Sequence, residues 1–321
     1  MSWGKTMKKR IIIITSSFIA ILFIGLFVAA NYFYGVGIKR GTDVELHREA
    51  AVASSEATAE DQMIFEEANA WFEEQTPEIL EINSFDDLTL KAQYFEQDHP
   101  KKVILAHGFN QSSDDMGKLT KLYYDLGFDI LLPDARGHGE SEGDYIGYGW
   151  HDRLDYIDWI QLLIDDYGAE QIVLHGHSMG AATVLMTSGE TLPDEVQAII
   201  ADSSYSTVQE ELVHQLKHIY NLPPFPLLNV TSMVTKVRAG YTFKEASAID
   251  QVRKNTRPLF IIHGNNDDLV PTEMGHQIYE AAGGDKELWI VPDSGHTKAF
   301  DIVTKEFQER IESFLTNALV E

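Results

Sequence analysis

The chain has 321 residues, enough for one large α/β domain with an appendage, and 44% of them are hydrophobic, as in an ordinary globular protein. It contains no cysteine, which excludes a disulfide framework, a cysteine nucleophile and a cysteine-based metal site. Its 25 lysine and arginine residues face 50 aspartate and glutamate residues, and this acidic balance argues against a nucleic-acid partner.

The first element is an apolar stretch, Ile11–Ala30, without a single charged residue. A helix of this length rises about 30 Å, the hydrocarbon thickness of a bilayer. Four basic residues precede it and two follow it, which predicts a cytoplasmic N-terminal tail and an extracellular C-terminal part. A signal peptide cleaved after Val28–Ala30, giving a secreted protein, is the alternative. The length of the apolar stretch favours a single-pass anchor in the cell membrane, within residues 1–40.

The next segment, residues 41–76, is acidic and rich in alanine and glutamate. It predicts a linker followed by a helix over about 56–75, most simply a solvated acidic helix with one apolar stripe. The pattern becomes regular over residues 77–321, which we interpret as one domain.

Short apolar strands alternate with helices in this domain. Two strands with alternating polarity come first, as in an antiparallel hairpin. The predicted strands are 79–82, 88–94, 102–106, 128–132, 171–175, 196–201, 258–263 and 287–291, and the predicted helices are 114–126, 151–166, 181–186, 272–282 and 297–319. This order predicts a mostly parallel sheet with helices on both faces and a site at the carboxyl ends of the strands.

One long insertion, residues 204–250, interrupts the alternation. It separates two strands by far more than a typical connection. We expect its helices to cover or shape a pocket, and additional helices that only pack are the alternative.

The most informative motif is G-x-S-x-G at Gly176–Gly180, between a predicted strand and a predicted helix. On such a turn the serine is held in a strained backbone conformation, and glycines stand where a Cβ would strike neighbouring backbone. The hydroxyl projects at the top of the sheet, and the backbone N–H of Met179 points at the same place from a helix N-terminus. The motif predicts Ser178 as a nucleophile and Met179 as an oxyanion donor.

A serine nucleophile needs a base with a pKa near 7 and a group that orients this base. Among the twelve histidines, His296 follows the last predicted strand and precedes the last helix. Asp267 and Asp268 both follow the preceding strand and are the candidate acids. The other histidines lack metal-ligand spacing, so neither a metal nor a cofactor is expected.

These motifs resemble the α/β-hydrolase family over residues 78–318, and more narrowly the membrane-anchored, minimal-lid hydrolases of Gram-positive bacteria. The order Ser178, acid, His296 is the order of that family. The segment His263–Pro271 resembles the family's H-G-x-x-D-x-x-V-P loop, which implies Asp267 as the acid.

Two further loops carry the resemblance. His107–Asn110 is similar to the family's HG-x element, which implies that the backbone N–H of Phe109 is the second oxyanion donor beside Met179. Pro133–Gly143 is similar to a D-x-x-G-H-G-x-S loop, for which we expect a structural role. Its residues Asp134, Arg136 and Ser141 would satisfy turn hydrogen bonds, and His138 would not be the general base.

The resemblance implies an α/β-hydrolase fold with an eight-stranded sheet and a small helical lid in the insertion. It implies hydrolysis of a carboxylic ester or thioester of a small-molecule acyl substrate through an acyl-enzyme, as in carboxylesterases and lipases. A serine peptidase, an amidase or an acyltransferase acting on cell-envelope material is the alternative, and a non-catalytic surface binding protein is the third. The natural substrate and the oligomeric state remain open.

Overall fold

A computed structural model describes residues 3–41 and 59–319 of the chain. The predicted linker falls mostly outside the described residues. The strands are β1 Glu78–Asn83, β2 Thr89–Phe95, β3 Lys101–Ala106, β4 Asp129–Pro133, β5 Gln171–His177, β6 Val196–Asp202, β7 Leu259–Gly264 and β8 Lys286–Val291. The helices are α1 Trp3–Gly37, α2 Ala59–Glu73, α3 Gly117–Asp125, α4 Asp152–Asp165, α5 Met179–Thr187, α6 Val208–Tyr220, α7 Leu227–Ala239, α8 Ala248–Val252, α9 Thr272–Ala281, α10 Ala299–Ile302 and α11 Thr304–Ala318.

The eight strands form one sheet in the order β1-β2-β4-β3-β5-β6-β7-β8. β2 pairs antiparallel with both β1 and β4, and all other neighbours are parallel. The predicted α/β architecture with a mostly parallel sheet is therefore confirmed. The parallel arrangement brings the carboxyl ends of β3, β5, β6, β7 and β8 to one edge, where the loops that follow them meet.

The core lies on both faces of this sheet. Successive residues of β5 point to opposite faces, so Leu174 joins one apolar cluster and Val173 joins the other. Trp159 of α4 belongs to the first cluster, and Phe307 of α11 belongs to the second. Helices thus cover both faces, and the sheet is held rigidly between them.

The C-terminal helix differs from its prediction. A single helix over 297–319 was expected, but Thr297 has a positive φ of 55° and Val303 breaks the helix into α10 and α11. The backbone N–H of Thr297 donates to the hydroxyl of Ser203 at 3.1 Å. The turn after His296 therefore cannot be helical, and it anchors the loop that carries this histidine.

Two parts of the chain lie outside the alternating pattern. The insertion contributes α6 and α7 near the carboxyl edge of the sheet. Among the described residues, one helix, Met7–Gly37 within α1, is long and apolar enough to cross a membrane by length and composition. The last turns of α1 pack against α7.

Candidate active site

Ser178 lies at the sharp turn between β5 and α5. Its φ of 54° and ψ of −120° lie in a region that L-residues rarely adopt, as predicted from the motif. A Cβ at Gly176 would overlap the backbone carbonyl of Gly180, and a Cβ at Gly180 would overlap that of Ala106. The backbone N–H of Ser178 donates to the carbonyl of Asp202 at 2.8 Å, which fixes the turn against β6.

The structure brings Ser178, His296 and Asp267 together in one hydrogen-bonded chain. The Oγ of Ser178 lies 2.8 Å from Nε2 of His296, and Nδ1 of His296 lies 2.8 Å from Oδ2 of Asp267. Because the carboxylate accepts at Nδ1, this nitrogen carries the proton and Nε2 is left to accept from the serine hydroxyl.

Asp267 has the environment of a fixed anion. Its side chain is fully buried, and its Oδ1 accepts the backbone N–H groups of Leu269 and Val270 at 3.0 and 2.8 Å. Burial alone would raise the pKa of Asp267, but its interactions with His296 and His263 outweigh burial and hold the pKa well below the usual range. Asp268, the alternative acid, is exposed, and its carbonyl accepts a hydrogen bond from His214.

The two predicted oxyanion donors flank the nucleophile. Met179 is the first residue of α5, and Phe109 follows Gly108, where an added Cβ would lie 3.4 Å from the Cβ of Ser178. Within the described residues, neither Met179 nor Phe109 has a hydrogen-bond acceptor for its backbone N–H. Both groups are thus available to a ligand atom bound at Ser178.

Two side chains hold the loop that carries Phe109. Gln111 accepts the backbone N–H of Gly108 at 3.1 Å and the Nε2–H of His177 at 2.8 Å. His107 accepts the N–H of Ala135 at 3.0 Å and donates to the carbonyl of Gly108 at 2.8 Å. These contacts give the histidines next to the motifs an orienting function, and burial lowers the pKa of both rings.

The loop 133–143 is tied internally. Asp134 accepts the backbone N–H groups of Ser113 and Glu140 at 2.7 and 2.8 Å, and Ser141 donates to the carbonyl of Asp134 at 2.7 Å. Arg136 is fully buried and forms a two-pronged ion pair with Asp155.

His138 belongs to the same loop, and burial lowers its pKa to about 3. Among the described residues, it forms no hydrogen bond with Ser178. The structure therefore places this histidine in the loop packing.

An apolar pocket opens at Ser178. Phe109, whose ring stacks on Tyr148 with centroids 5.5 Å apart, forms one wall. Five leucine and isoleucine side chains of α6 and α7 line another part of the wall, namely Leu212, Leu216, Ile219, Leu227 and Leu228. Both helices of the insertion therefore contribute to the wall of this pocket.

Three contributions to this site were not predicted from the sequence. Nε2 of His263 lies 3.4 Å from Oδ2 of Asp267, whereas the loop motif that begins at His263 indicated only the acid. Glu211 lines the pocket on α6, and a lone glutamate in an amphipathic helix carries no signal. Phe33 and Val36 of α1 also line the pocket, although the sequence assigns them to an anchor.

Comparison with known proteins establishes the family. The chain matches the alpha/beta hydrolase fold family over residues 101–231. It is 30% identical over 221 residues to the uncharacterized protein YqkD of Bacillus subtilis, covering 68% of this chain and 72% of that protein. The chain belongs to the alpha/beta hydrolase family. This confirms the resemblance found in its motifs.

Two further alpha/beta hydrolase relatives bear on activity. The chain is 26% identical over 232 residues to the lysophosphatidylserine lipase ABHD12 of Xenopus tropicalis, covering 67% of this chain and 57% of that protein. Its structure superimposes on the esterase Pf2001 of Pyrococcus furiosus with a TM-score of 0.63 and 25% identity, over 76% of this chain and 94% of that one. An esterase and a lipase among the similar proteins support a hydrolase.

Proposed function

We propose that the chain is a serine hydrolase that cleaves carboxylic ester bonds, including thioesters, with Ser178 as nucleophile, His296 as general base and Asp267 as the orienting acid. The observation that carries this proposal is the hydrogen-bonded chain from Ser178 through His296 to Asp267, both of whose links measure 2.8 Å. The backbone N–H groups of Phe109 and Met179 supply the oxyanion site.

The first half of the reaction forms an acyl-enzyme. Nε2 of His296 takes the proton of the Ser178 hydroxyl while Oγ bonds to the ester carbonyl carbon. The carbonyl oxygen gains the negative charge and accepts the two N–H groups of the oxyanion site. The C–O bond to the leaving alcohol then breaks, and the alkoxide takes the proton from His296.

The second half releases the acid. Water gives a proton to Nε2 of His296 and its oxygen attacks the acyl carbon. The bond to Oγ breaks, and Ser178 recovers its proton from His296. Asp267 stays ionised throughout, because its pKa is depressed, and it stabilises the imidazolium in both halves.

The lining of the pocket favours an acyl ester over a peptide. Carbon atoms dominate its walls, and each methylene group buried there contributes about 0.8 kcal/mol to binding. A peptide would bring a polar amide every third backbone atom into this surface, and each unpaired amide would cost binding energy. A peptidase, an amidase or an acyltransferase is therefore the second candidate.

We further propose that α1 holds the protein in the cell membrane with the hydrolase on the extracellular side. The basic residues that precede its apolar stretch support this orientation. A helix of this kind also fits a signal sequence, and N-terminal sequencing of the membrane-bound and released protein would distinguish the two.

The test uses the full chain in detergent with a panel of nitrophenyl esters and peptide nitroanilides. Ser178→Ala should lower kcat on a short ester about 10⁶-fold and abolish labelling by a fluorophosphonate. Ser17→Ala, an exposed serine of α1, is the matched control and should leave both unchanged. Retained ester turnover in Ser178→Ala contradicts the proposal, and faster cleavage of anilides than of esters favours the peptidase. Failure of the folded wild-type protein to label favours the non-catalytic alternative.

A further inference from the structure

The end of α1 is fixed to the hydrolase body rather than tethered loosely. The hydroxyl of Tyr148 donates to the carbonyl of Gly37 at 2.8 Å, and the backbone N–H of Ile146 donates to the carbonyl of Ile38 at 2.7 Å. The side chains of Tyr34 and Ile38 are buried. These hydrogen bonds and this burial fix the last turns of α1 in one position on the hydrolase domain.

The same turns of α1 also contact the helices of the insertion. The guanidinium of Arg238 donates to the side-chain oxygen of Asn31 at 2.7 Å and lies over the ring of Tyr34. The ring of Phe33 meets that of Tyr220, at the end of α6, edge to face with centroids 5.1 Å apart. α1 therefore touches both helices that cover the pocket.

The turns of α1 that are seated in this way form part of the pocket wall. Phe33, Val36, Gly37 and Ile38 line the same pocket as Ser178. Without them, the pocket would lose the part of its wall that these residues form. The site is thus incomplete without the last turns of α1 and the residue that follows them.

The insertion also exposes apolar side chains next to α1. Met233 and Val237 are one helical turn apart on α7, the helix that packs against α1, and they are 69% and 87% exposed. Phe225, in the loop before α7, is 75% exposed. Large exposed apolar side chains that lie together mark a surface that contacts another protein or a membrane. Arg238, which follows Val237, contacts Asn31, the residue after the apolar stretch of α1, so the apolar surroundings of α1 extend to this cluster.

We propose that the pocket is a binding site for one long acyl chain, completed by α1, and that the ester reaches Ser178 from the bilayer that holds this helix. This inference rests on the proposed function for the reaction at Ser178. It adds the class of substrate, a long-chain lipid ester, and its source, the membrane. The apolar cluster on the insertion rests on the same bilayer and sets the pocket mouth at its surface.

The pocket is tested by filling it from the α1 side. Val36→Trp places a bulky ring in the pocket, and Val28→Trp, at an exposed position of the same helix, is the matched control. We expect the ratio of kcat/KM for nitrophenyl palmitate to that for the butyrate to fall about tenfold in Val36→Trp, a difference of about 1.4 kcal/mol, and to stay unchanged in Val28→Trp. An unchanged ratio in Val36→Trp, or an equal fall in both variants, overturns the inference. Val36→Leu should give a smaller fall in the same direction if the tryptophan variant does not fold.

A binding measurement separates this inference from the proposed reaction. The full-length Ser178→Ala protein should bind the fluorescent fatty acid parinaric acid, and Val36→Trp in that background should weaken the binding about tenfold. Binding with this response supports the pocket even if no ester is hydrolysed. Ester turnover by the wild-type chain without fatty-acid binding would leave the proposed function standing and overturn the inference.

The source of the substrate is tested in vesicles. The full chain is reconstituted with a long-chain lipid ester in its own bilayer, or with the ester confined to separate vesicles. We expect at least tenfold faster hydrolysis in the first arrangement. Val237→Asp should remove most of this advantage, whereas Met63→Asp, an exposed methionine on α2, should keep it. Equal rates in the two arrangements overturn the membrane as the source.

Discussion

Nε2 of His263 lies 3.4 Å from Oδ2 of Asp267, the same oxygen that accepts the hydrogen bond of His296. The His263 ring is fully buried, and its Nε2 also lies 2.9 Å from the carbonyl of Val270. Burial alone would lower the pKa of His263, but its contacts with Asp267 outweigh burial and raise this pKa above the ordinary value. His263 therefore stabilises the ionised acid and fixes its loop, which makes it a positioning residue.

We predict that His263→Leu lowers kcat more than tenfold with little change in KM. The ring holds the loop of the acid through its hydrogen bond to the carbonyl of Val270 and contacts the carboxylate electrostatically, and losing both, about 1.5–3 kcal/mol, would let the acid turn away from His296. The check is a double-mutant cycle with Asp267→Asn, in which the second substitution should add little to the first. His263→Gln, which can still donate, should restore part of the rate. A higher KM with an unchanged kcat would contradict this role.

Asp267→Asn should lower kcat about 10⁴-fold while the protein stays folded. The amide oxygen can still accept from Leu269 and Val270, but the amide group favours the wrong tautomer of His296. Asp268→Asn is the matched control, because that side chain is exposed, and its rate should stay within about twofold. Steady-state kinetics on one short ester measures both, and equal losses would return Asp268 to consideration.

Gly180→Ala should lower the free energy of unfolding by about 2–3 kcal/mol and abolish activity. The added methyl group would meet the carbonyls of Ala106 and His107, and backbone atoms at the end of a buried strand cannot move aside. Gly25→Ala, where no atom lies within 4 Å of the added carbon, should change neither property. Denaturant unfolding and ester turnover measure the two effects, and a stable, active Gly180→Ala protein would contradict the tight packing of the turn.

Glu211 makes stability depend on pH. Burial raises its pKa to about 8, against an ordinary value of 4.5, and its Oε2 has no hydrogen-bond partner among the described residues. Between these two values the folded chain keeps a proton that the unfolded chain has lost, so this contribution to stability is full below pH 4.5 and falls as the pH rises through 8. Each pKa unit corresponds to about 1.4 kcal/mol.

Glu211→Gln should therefore flatten the fall in stability between acid and mildly alkaline pH, and should be the more stable protein at the alkaline end. Glu280→Gln, at an exposed position, should follow the wild-type curve. Denaturant unfolding across the pH range tests this. Parallel curves for the wild-type and Glu211→Gln proteins would show that the carboxyl is not held neutral in the fold.

The sequence was sufficient for the parts of this protein that depend on local pattern. Strand and helix periodicity predicted the order of strands and helices along the chain, and the motif predicted the strained backbone that Ser178 has. The single helix expected over 297–319 was wrong, because helix-forming composition does not reveal that Thr297 must turn back to Ser203.

The parts that could not be predicted are contacts between distant segments. About half the chain separates Phe33 and Val36 from α6, the helix that they face across the pocket. In the sequence they cannot be distinguished from other residues of an apolar membrane span. The contact of His263 with Asp267 likewise depends on how a loop folds back on its own strand. Such relationships come from packing, which no local pattern encodes.

The hydrogen bonds of Tyr148 and Ile146 that fix the end of α1 to the hydrolase domain have a kinetic consequence. An enzyme whose pocket opens at the bilayer encounters its substrate in two dimensions. Its rate then depends on the mole fraction of the ester among the surrounding lipids rather than on the concentration of the ester in the whole sample. Adding inert lipid at constant total ester would slow it by surface dilution, while adding buffer would leave its rate per molecule unchanged.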